Sequence, residues 1–161
     1  MSEDPFYGEG LRFSCRRCSR CCRHDGGFVF LSREDLSRLS DKFAMNVGDF
    51  IDAWCRWVPG ESGRERLSLR EKPNLDCVFW GSSDSGDGEG CAVYGARPLQ
   101  CRAFPFWDSI VCSASAWKNA GRECPGIDSG APRSREEIEG FLRLMEEELV
   151  IERDAPRASG G

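Results

Sequence analysis

Four cysteines near the N-terminus are spaced as metal ligands are. They read Cys15-x2-Cys18-x2-Cys21-Cys22, and two intervening residues let a turn bring two sulfurs to one ion, with backbone amides directed at the thiolates. Successive side chains of an extended chain point to opposite sides, so Cys21 and Cys22 are not expected to bind one ion together. The segment therefore predicts either two sites that share it, or one site with a spare thiol beside it.

A second group of cysteines lies further along the chain. Cys77 and Cys91 flank a Gly-rich stretch and are expected to face each other across a hairpin. Together with the first group they give eight candidate metal ligands: Cys15, Cys18, Cys21, Cys22, Cys77, Cys91, Cys101 and Cys124. Eight thiols suit two four-cysteine sites, or one four-iron cluster with further thiols beside it.

Two cofactors are compatible with these ligands. Four thiolates around Zn²⁺ form a closed structural site, whereas an iron–sulfur cluster held by cysteines carries electrons. Cysteines at two-residue spacing, with the remote pair Cys124-Pro125, match the ligand run of bacterial ferredoxins and favour an iron–sulfur cluster. Zinc stays open as the alternative.

The other residues with metal-binding chemistry are interpreted differently. Cys55, on a helical face with other apolar residues, and Cys112, in an alternating pattern, are expected to be buried core thiols. His24, the one histidine, is expected to be exposed. Arg97 and Arg102 either satisfy backbone carbonyls or donate to the sulfurs of the metal site, and we predict the second role. No residue set predicts a catalytic group.

The composition explains why a metal would be needed. Of 161 residues, ten are Cys and 33 are Leu, Ile, Val or Phe, so the apolar core is small and cross-links are expected. The N-terminus lacks the pattern of a signal peptide, and no apolar run reaches the ~20 residues of a membrane helix. A cytoplasmic location is therefore expected, where dense cysteines bind metal more often than they form disulfides, although disulfides remain the minor alternative.

The charge pattern limits the partners. The net charge is −5, and residues 135–154, with eight acids and three bases, account for all of it. The basic residues near the N-terminus are interleaved with cysteines and would balance thiolates. Because no separate basic face is predicted, a nucleic-acid partner is not expected. A membrane partner is not expected either, because no apolar run is long enough for a membrane helix, and a protein partner is left open.

The predicted elements form a small, loop-rich, metal-stabilised α+β domain with short strands and a C-terminal helix. Helices are expected after Ser32, over Val47–Val58, and after a capping box formed by Ser134 and Glu137, with an apolar stripe reaching Leu149. The predicted strands are Leu67–Arg70, Cys77–Trp80, Cys91–Tyr94 and Ser109–Trp117, with hairpin-loop chemistry over Ser82–Gly90. The predicted divisions are a tail (1–10), a cysteine-cluster domain (11–127), a linker with an acidic helix (128–153) and a disordered tail (154–161).

The cysteine motifs resemble a known family. The N-terminal run, Cys77, the block Cys91-x-Val-Tyr-x2-Arg-Pro-x2-Cys-Arg-x-Phe-Pro and Cys124-Pro-Gly together resemble the YkgJ-type cysteine-cluster family, known for its CxxCxxCC motif, over about residues 11–127. The resemblance implies chelation of zinc or iron by cysteine in a cytosolic protein. Flagellin lysine N-methylases resemble this family in their cysteine domain, where an iron–sulfur cluster is implied. An iron–sulfur-dependent protein-modifying enzyme, or its accessory subunit, is therefore the alternative function, although no S-adenosylmethionine-binding segment is recognisable here.

Overall fold

The computed structural model describes residues 3–18, 21–23, 26–86 and 88–157. Its helices are α1 (Arg33–Lys42), α2 (Val47–Trp54), α3 (Leu99–Ala103), α4 (Asp108–Val111), α5 (Ala114–Ala120) and α6 (Arg135–Glu147). Its strands are β1 (Leu11–Phe13), β2 (Cys55–Pro59), β3 (Arg64–Leu69), β4 (Trp80–Ser82), β5 (Glu89–Cys91), β6 (Ile127–Arg133) and β7 (Glu152–Asp154). The chain is a small mixed α+β domain, as predicted.

Local capping signals place two of the helices. The Ser32 hydroxyl accepts from the Asp35 amide at 3.1 Å at the start of α1, which confirms the predicted N-cap. At the start of α6, Ser134 and Glu137 each accept a hydrogen bond from the backbone of the other, which confirms the predicted capping box. Both caps satisfy amide groups that a helix leaves unpaired at its first turn.

The second predicted helix is shorter than the sequence indicates. α2 ends at Trp54, and the chain continues as β2, where Cys55 lies opposite Leu69 of β3. Trp57 and Val58 belong to this strand, because aromatic and β-branched side chains favour cross-strand packing over a weak helical periodicity. Cys55 is buried as predicted, but it reaches the core from a strand and not from a helix.

The strands form three small sheets. β2, β3 and β7 make an antiparallel sheet in the order β2-β3-β7, β1 pairs with β6, and β4 pairs with β5. β7 follows α6 and lies opposite the start of β3, and the amide of Ala155 then donates to Gly63 O at 2.9 Å. β7 ends at Asp154, and Ala155 adds one further backbone hydrogen bond beside β3.

The hairpin predicted around the Gly-rich loop is confirmed, but its strands are shifted. β4 and β5 enclose the loop, with Trp80 opposite Cys91. Cys77 lies three residues before β4, where its amide donates to Cys22 O at 2.7 Å and its carbonyl accepts from the Trp80 amide at 2.9 Å. The expectation that Cys77 and Cys91 face each other as a strand pair is therefore wrong.

The strand predicted over Ser109–Trp117 is wrong, because the chain forms α4 and α5 there. The Ser113 hydroxyl accepts from the Ala116 amide at 3.1 Å and caps α5. This cap and the helix-favouring alanines that follow it outweigh the apparent alternation. Cys112 lies between the two helices and is exposed, not buried.

Two hydrophobic cores hold the elements together. The first core contains the buried residues Leu31, Leu36, Leu39, Phe50, Cys55, Leu67, Leu69, Phe79 and Val93. The second core contains Phe13, Phe106, Val111, Trp117, Ile127 and Ile138. α6 supplies Ile138 from its predicted apolar stripe, whereas Leu149, beyond the end of the helix, is 74% exposed. No helix in the described ranges is long and apolar enough to cross a membrane.

Candidate metal centre

Three cysteines approach one another from separate elements. Cys77 precedes β4, Cys91 ends β5 and Cys101 lies in α3. We call these three the floor thiols; each is half-buried. Cys77 and Cys91 border the first core; Cys91 lies opposite Trp80 in the hairpin, and the Cys77 carbonyl accepts from the Trp80 amide at 2.9 Å.

A buried carboxylate positions the helix that carries Cys101. Asp35 is 2% exposed, and its Oδ1 accepts from the Leu99 amide at the start of α3 at 2.8 Å. Its Oδ2 accepts from the Ser32 amide at 3.1 Å. Arg38 pairs with the same carboxylate at 2.6 Å and balances its charge. The residue that completes the cap of α1 therefore also fixes the start of α3.

The N-terminal cysteines lie on an irregular segment with two anchored ends. We call residues 15–22 the cysteine arch; residues 19 and 20 lie outside the described part of the chain. At one end the Ser14 amide donates to Gly126 O at 3.2 Å, and a Cβ at Gly126 would collide with the Ser14 carbonyl. At the other end the Cys77 amide donates to Cys22 O at 2.7 Å. The arch thus connects the second core to the floor thiols.

Cys21 and Cys22 do not point to opposite sides, so that expectation is wrong. Their Sγ atoms lie 3.8 Å apart, because the chain turns at these residues and is not extended. Tetrahedral zinc with Zn–S bonds of about 2.3 Å separates two ligand sulfurs by about 3.8 Å. The spacing of these two sulfurs is compatible with a single metal ion.

The two adjacent thiols differ strongly in acidity. A hydrogen bond from Cys22, helped by a backbone hydrogen bond and the charge of Arg97, lowers the pKa of Cys21 to about 6 against the opposing effect of burial. The same hydrogen bond, burial and nearby sulfurs raise the pKa of Cys22 far above its ordinary value. Cys21 is therefore the thiolate of the pair, and thiolates are the form that binds metal.

The floor thiols are held as neutral groups when no cation is nearby. Burial is the largest cause that raises the pKa of Cys77, Cys91 and Cys101, and neighbouring sulfurs raise it further. Within the quartet of Cys21 and the floor thiols, each sulfur interacts electrostatically with the other three. The quartet is therefore one electrostatic unit built from four separate parts of the chain.

The remaining three predicted ligands lie around this quartet. Burial raises the pKa of Cys124, which borders the second core, and the nearby sulfurs of Cys18 and Cys21 raise it further. Cys15 accepts from the amide of Arg17 at 3.4 Å and forms a hydrogen bond with the side chain of Tyr94. Of these cysteines, Cys124 lies beside the second core.

The two arginines differ in their relation to the sulfurs. The Nε groups of both donate to carbonyls, that of Arg97 to Tyr94 O at 3.0 Å and that of Arg102 to Arg97 O at 3.1 Å. The charge of Arg97 lowers the pKa of Cys21 and counteracts the rise at the floor thiols Cys91 and Cys101. Burial and the nearby charges of Arg38 and Arg97 lower the pKa of Arg102. Arg97 thus acts on the sulfurs through its charge.

The residues interpreted as non-ligands are set apart from the quartet. Burial raises the pKa of Cys55 to about 12, and the charge that acts on it is that of Arg70. Cys112 donates from its exposed thiol to Ser109 O at 3.4 Å. His24 lies outside the described residues.

The family model described as "CxxCxxCC: Putative zinc- or iron-chelating domain" matches residues 14–125. The chain belongs to this family. The matched region of the CxxCxxCC domain begins at the anchored end of the arch and includes all eight predicted ligands. α6 and β7 lie beyond it, and α6 completes the second core with Ile138. No solved structure matches the chain.

The donor set of this CxxCxxCC domain fits a thiophilic metal. All ten of its cysteines are free thiols, and soft thiolate ligands select zinc and iron–sulfur clusters. In the described part of the chain, no three Cys, His, Asp or Glu side chains stand at the spacing of an assembled metal site. Metal binding would therefore have to draw the thiols closer together and remove their protons.

Residues that the sequence reasoning missed surround the site. Arg17 and Tyr94 stack on each other at the edge of the quartet, with 3.9 Å between the guanidinium carbon and the ring centroid. Asp84, in the loop of the hairpin, pairs with Arg17 at 3.4 Å. The only signal in the sequence for the stacking of Arg17 on Tyr94 was that both residues lie within the cysteine motifs. Arg17 lies inside the N-terminal cysteine run, and Tyr94 lies inside the downstream block.

Proposed function

We propose that this protein binds zinc or iron through a thiolate centre formed by Cys21, Cys77, Cys91 and Cys101. One observation carries the proposal: the exposed sulfur of Cys21 and the half-buried sulfurs of Cys77, Cys91 and Cys101, from four separate parts of the chain, lie near enough to interact electrostatically with one another. The family, whose members are described as zinc- or iron-chelating, supports the same conclusion.

The two halves of the quartet would have different roles. Cys21, already the more acidic thiol, would supply the first negative charge to an incoming cation. The floor thiols would lose their protons only as the cation arrives, because burial disfavours their charged forms in its absence. Metal uptake is therefore expected to release protons and to weaken on acidification.

A second group of ligands would come from the four predicted ligands outside the quartet, which are Cys15, Cys18, Cys22 and Cys124. Because the sulfurs of Cys21 and Cys22 lie 3.8 Å apart, Cys22 would be able to replace Cys21 as a ligand. The same short separation is compatible with a cluster in place of a single ion. An iron–sulfur cluster would supply electron transfer or sensing, whereas zinc would supply structural stability alone. The ferredoxin-like spacing favours the cluster, and a reducing cytoplasm would keep the thiols available for either.

The test is metal content after strictly anaerobic purification of the full-length chain. Zinc, iron and acid-labile sulfide are measured per chain, in the natural protein, in Cys91→Ala and in Cys112→Ala as the matched control. We expect stoichiometric metal in the natural protein and in the control, and its loss in Cys91→Ala.

The outcomes separate the alternatives. Brown protein with iron and sulfide in comparable amounts supports the cluster, and colourless protein with one zinc per chain supports the structural site. Absence of both metals from the natural protein, even after reconstitution with each, would contradict the proposed function.

A further inference from the structure

The adjacent thiols of Cys21 and Cys22 are placed to bond to each other. Their Sγ atoms lie 3.8 Å apart, at a turn of the chain. A disulfide bond holds two sulfurs at about 2.05 Å, so these two must approach each other by about 1.8 Å. Cys21 is exposed, and rotation about its Cα–Cβ bond moves the sulfur without displacing the backbone. A disulfide between these neighbouring residues is therefore within reach.

The backbone that carries the pair is held on its C-terminal side. The carbonyl of Cys22 accepts from the Cys77 amide at 2.7 Å. The next residue, Arg23, stacks on Trp80 of β4, with 3.9 Å between the guanidinium carbon and the ring centroid. Arg23 also pairs with the buried carboxylate of Asp76 at 3.7 Å. These contacts fix the turn against the β4–β5 hairpin, so the pair keeps its place while Cys21 rotates.

A disulfide between adjacent residues is strained and easily reduced. The Cα atoms of neighbouring residues lie about 3.8 Å apart across a trans peptide, below the range of about 4.4–6.8 Å that disulfides usually span. Strain makes a disulfide more reducible, and strained or exposed disulfides are the labile ones. A Cys21–Cys22 bond is thus of the reversible kind and not of the structural kind.

We propose that Cys21 and Cys22 form a reversible disulfide that acts as a redox switch on metal binding, with low-molecular-weight disulfides as the oxidant. Oxidation takes Cys21 out of the quartet and at the same time removes Cys22, the neighbouring thiol that would be able to replace it. The floor thiols are then left without their fourth ligand. The control of metal binding rests on the proposed function, whereas formation of the disulfide does not.

The reaction is a thiol–disulfide exchange in two steps. The sulfur of Cys21, the more exposed thiol of the pair, attacks one sulfur of glutathione disulfide and forms a mixed disulfide, and the first glutathione leaves with the proton of Cys21. The sulfur of Cys22 then attacks that of Cys21, and the second glutathione leaves with the proton of Cys22. The protein loses two electrons and two protons, and glutathione disulfide gains them as it becomes two molecules of glutathione.

The test is a peptide map of the reduced, metal-free, full-length chain after incubation with excess glutathione disulfide. Free thiols are blocked with N-ethylmaleimide, and the protein is digested with trypsin without reduction. Trypsin cleaves after Arg20 and Arg23, so Cys21 and Cys22 stay in one short peptide, separate from the peptide of Cys18. A disulfide within the pair leaves this peptide unlabelled and lighter than its dithiol form by two hydrogen atoms. A disulfide from Cys18 to Cys21 instead joins two peptides.

We expect the unlabelled peptide to predominate in the oxidised natural protein, and excess reduced glutathione to return it to the dithiol. In Cys22→Ser only the first step is available, so Cys21 should accumulate as the mixed disulfide with glutathione. Cys112→Ser, which removes another exposed thiol, is the matched control and should give the same map as the natural protein.

Three results would overturn the switch. The first is a disulfide that joins Cys21 to Cys18 or to another cysteine in place of Cys22. The second is labelling of both Cys21 and Cys22 after oxidation. The third is a mixed disulfide with glutathione that is as stable in the natural protein as in Cys22→Ser.

Zinc titration of the same protein in two redox states tests the control of metal binding. The oxidised chain, with its floor thiols shown by the map to be free, competes with a chromophoric chelator for zinc, as do the reduced and the re-reduced chain. Zinc affinity should fall by more than about 100-fold on oxidation, because loss of a residue that only supports a ligand already costs about 10–100-fold. Re-reduction should restore it.

The two readouts separate the switch from the proposed function. If the reduced chain binds neither zinc nor iron, the proposed function fails, and the peptide map still decides whether the disulfide forms. If the disulfide forms but the oxidised and reduced chains bind zinc equally tightly, the control of metal binding fails while metal binding itself stands.

Discussion

The floor thiols and the arch thiols reach the same place by different means. Cys77, Cys91 and Cys101 are positioned by a hairpin and by a helix whose start is fixed by buried Asp35. The arch is positioned by its anchored ends and by arginine contacts. The floor is built by the fold and kept neutral by burial, whereas the arch brings the acidic thiol, Cys21. The floor thiols thus have fixed positions, whereas the arch supplies the reactive thiol of the proposed site.

The largest expected effect is the loss of metal when a floor thiol is removed. Cys101→Ala should abolish metal binding, because it deletes one of the four proposed ligands and leaves its half-buried position without a replacement donor. Cys55→Ala, a matched change at another buried cysteine, should keep full metal content while losing stability through the cavity it creates. Metal analysis of both purified proteins checks this, and equal metal loss from the two would erase the distinction between ligand and core thiols.

The next effect is on stability. Metal that binds only the folded state, at a free concentration of about 1,000 times its Kd, adds about 4 kcal/mol to the free energy of unfolding. For a chain of this size about 1 kcal/mol shifts the melting midpoint by about 2–4 °C, so chelation should lower Tm by roughly 10 °C. Circular dichroism melts before and after chelation, under reducing conditions, measure this shift. An unchanged midpoint would show that metal does not connect the arch to the floor.

A smaller effect is expected where the arch is anchored. Gly126→Ala places a Cβ against the Ser14 carbonyl and should destabilise the protein by about 1–3 kcal/mol, as overpacking does. Gly140→Ala in α6, where nothing lies within 4 Å of the added atom, should stabilise it by about 0.5–1 kcal/mol. Urea unfolding of both variants gives the two values, and a shift of the same sign in both would mean that the close approach at Ser14 is not maintained.

The smallest effect concerns pH. The pKa of Cys21 is lowered to about 6, so its thiolate forms at lower pH than that of an ordinary cysteine. In metal-free protein its alkylation rate should therefore level off above about pH 7. In urea the rate at the same cysteine should keep rising towards the ordinary pKa of about 8.5. At neutral pH the folded protein should react only a few-fold faster, because nucleophilicity falls with pKa. Identical pH profiles in the two states would contradict the assignment of Cys21 as the reactive thiol.

Sequence reasoning succeeded where the signal is local. The caps at Ser32 and Ser134 depend on residues within one turn, and the hairpin loop depends on its own glycines. It failed where a local pattern had two interpretations: the alternation around Cys112 masked the cap at Ser113, and Cys21 with Cys22 was taken as extended chain although it turns.

The arrangement of the site depended on contacts that no local pattern contains. The resemblance to the family indicated which cysteines are candidate ligands, but not how these ligands are divided among metal sites. Asp35 fixes the helix of Cys101 from 64 residues away, and Arg17 meets Asp84 across 67 residues. Such contacts follow from the packing of whole elements, which spacing alone does not determine.

The most direct test of the quartet is X-ray absorption at the metal edge of the zinc-loaded, full-length protein. If Cys21, Cys77, Cys91 and Cys101 bind the ion, the first shell should contain four sulfur atoms at about 2.3 Å and no nitrogen or oxygen. Cys101→Ala should lose this spectrum, and Cys112→Ala should keep it. A first shell with nitrogen or oxygen ligands in the natural protein, or a four-sulfur shell that persists in Cys101→Ala, would contradict the account.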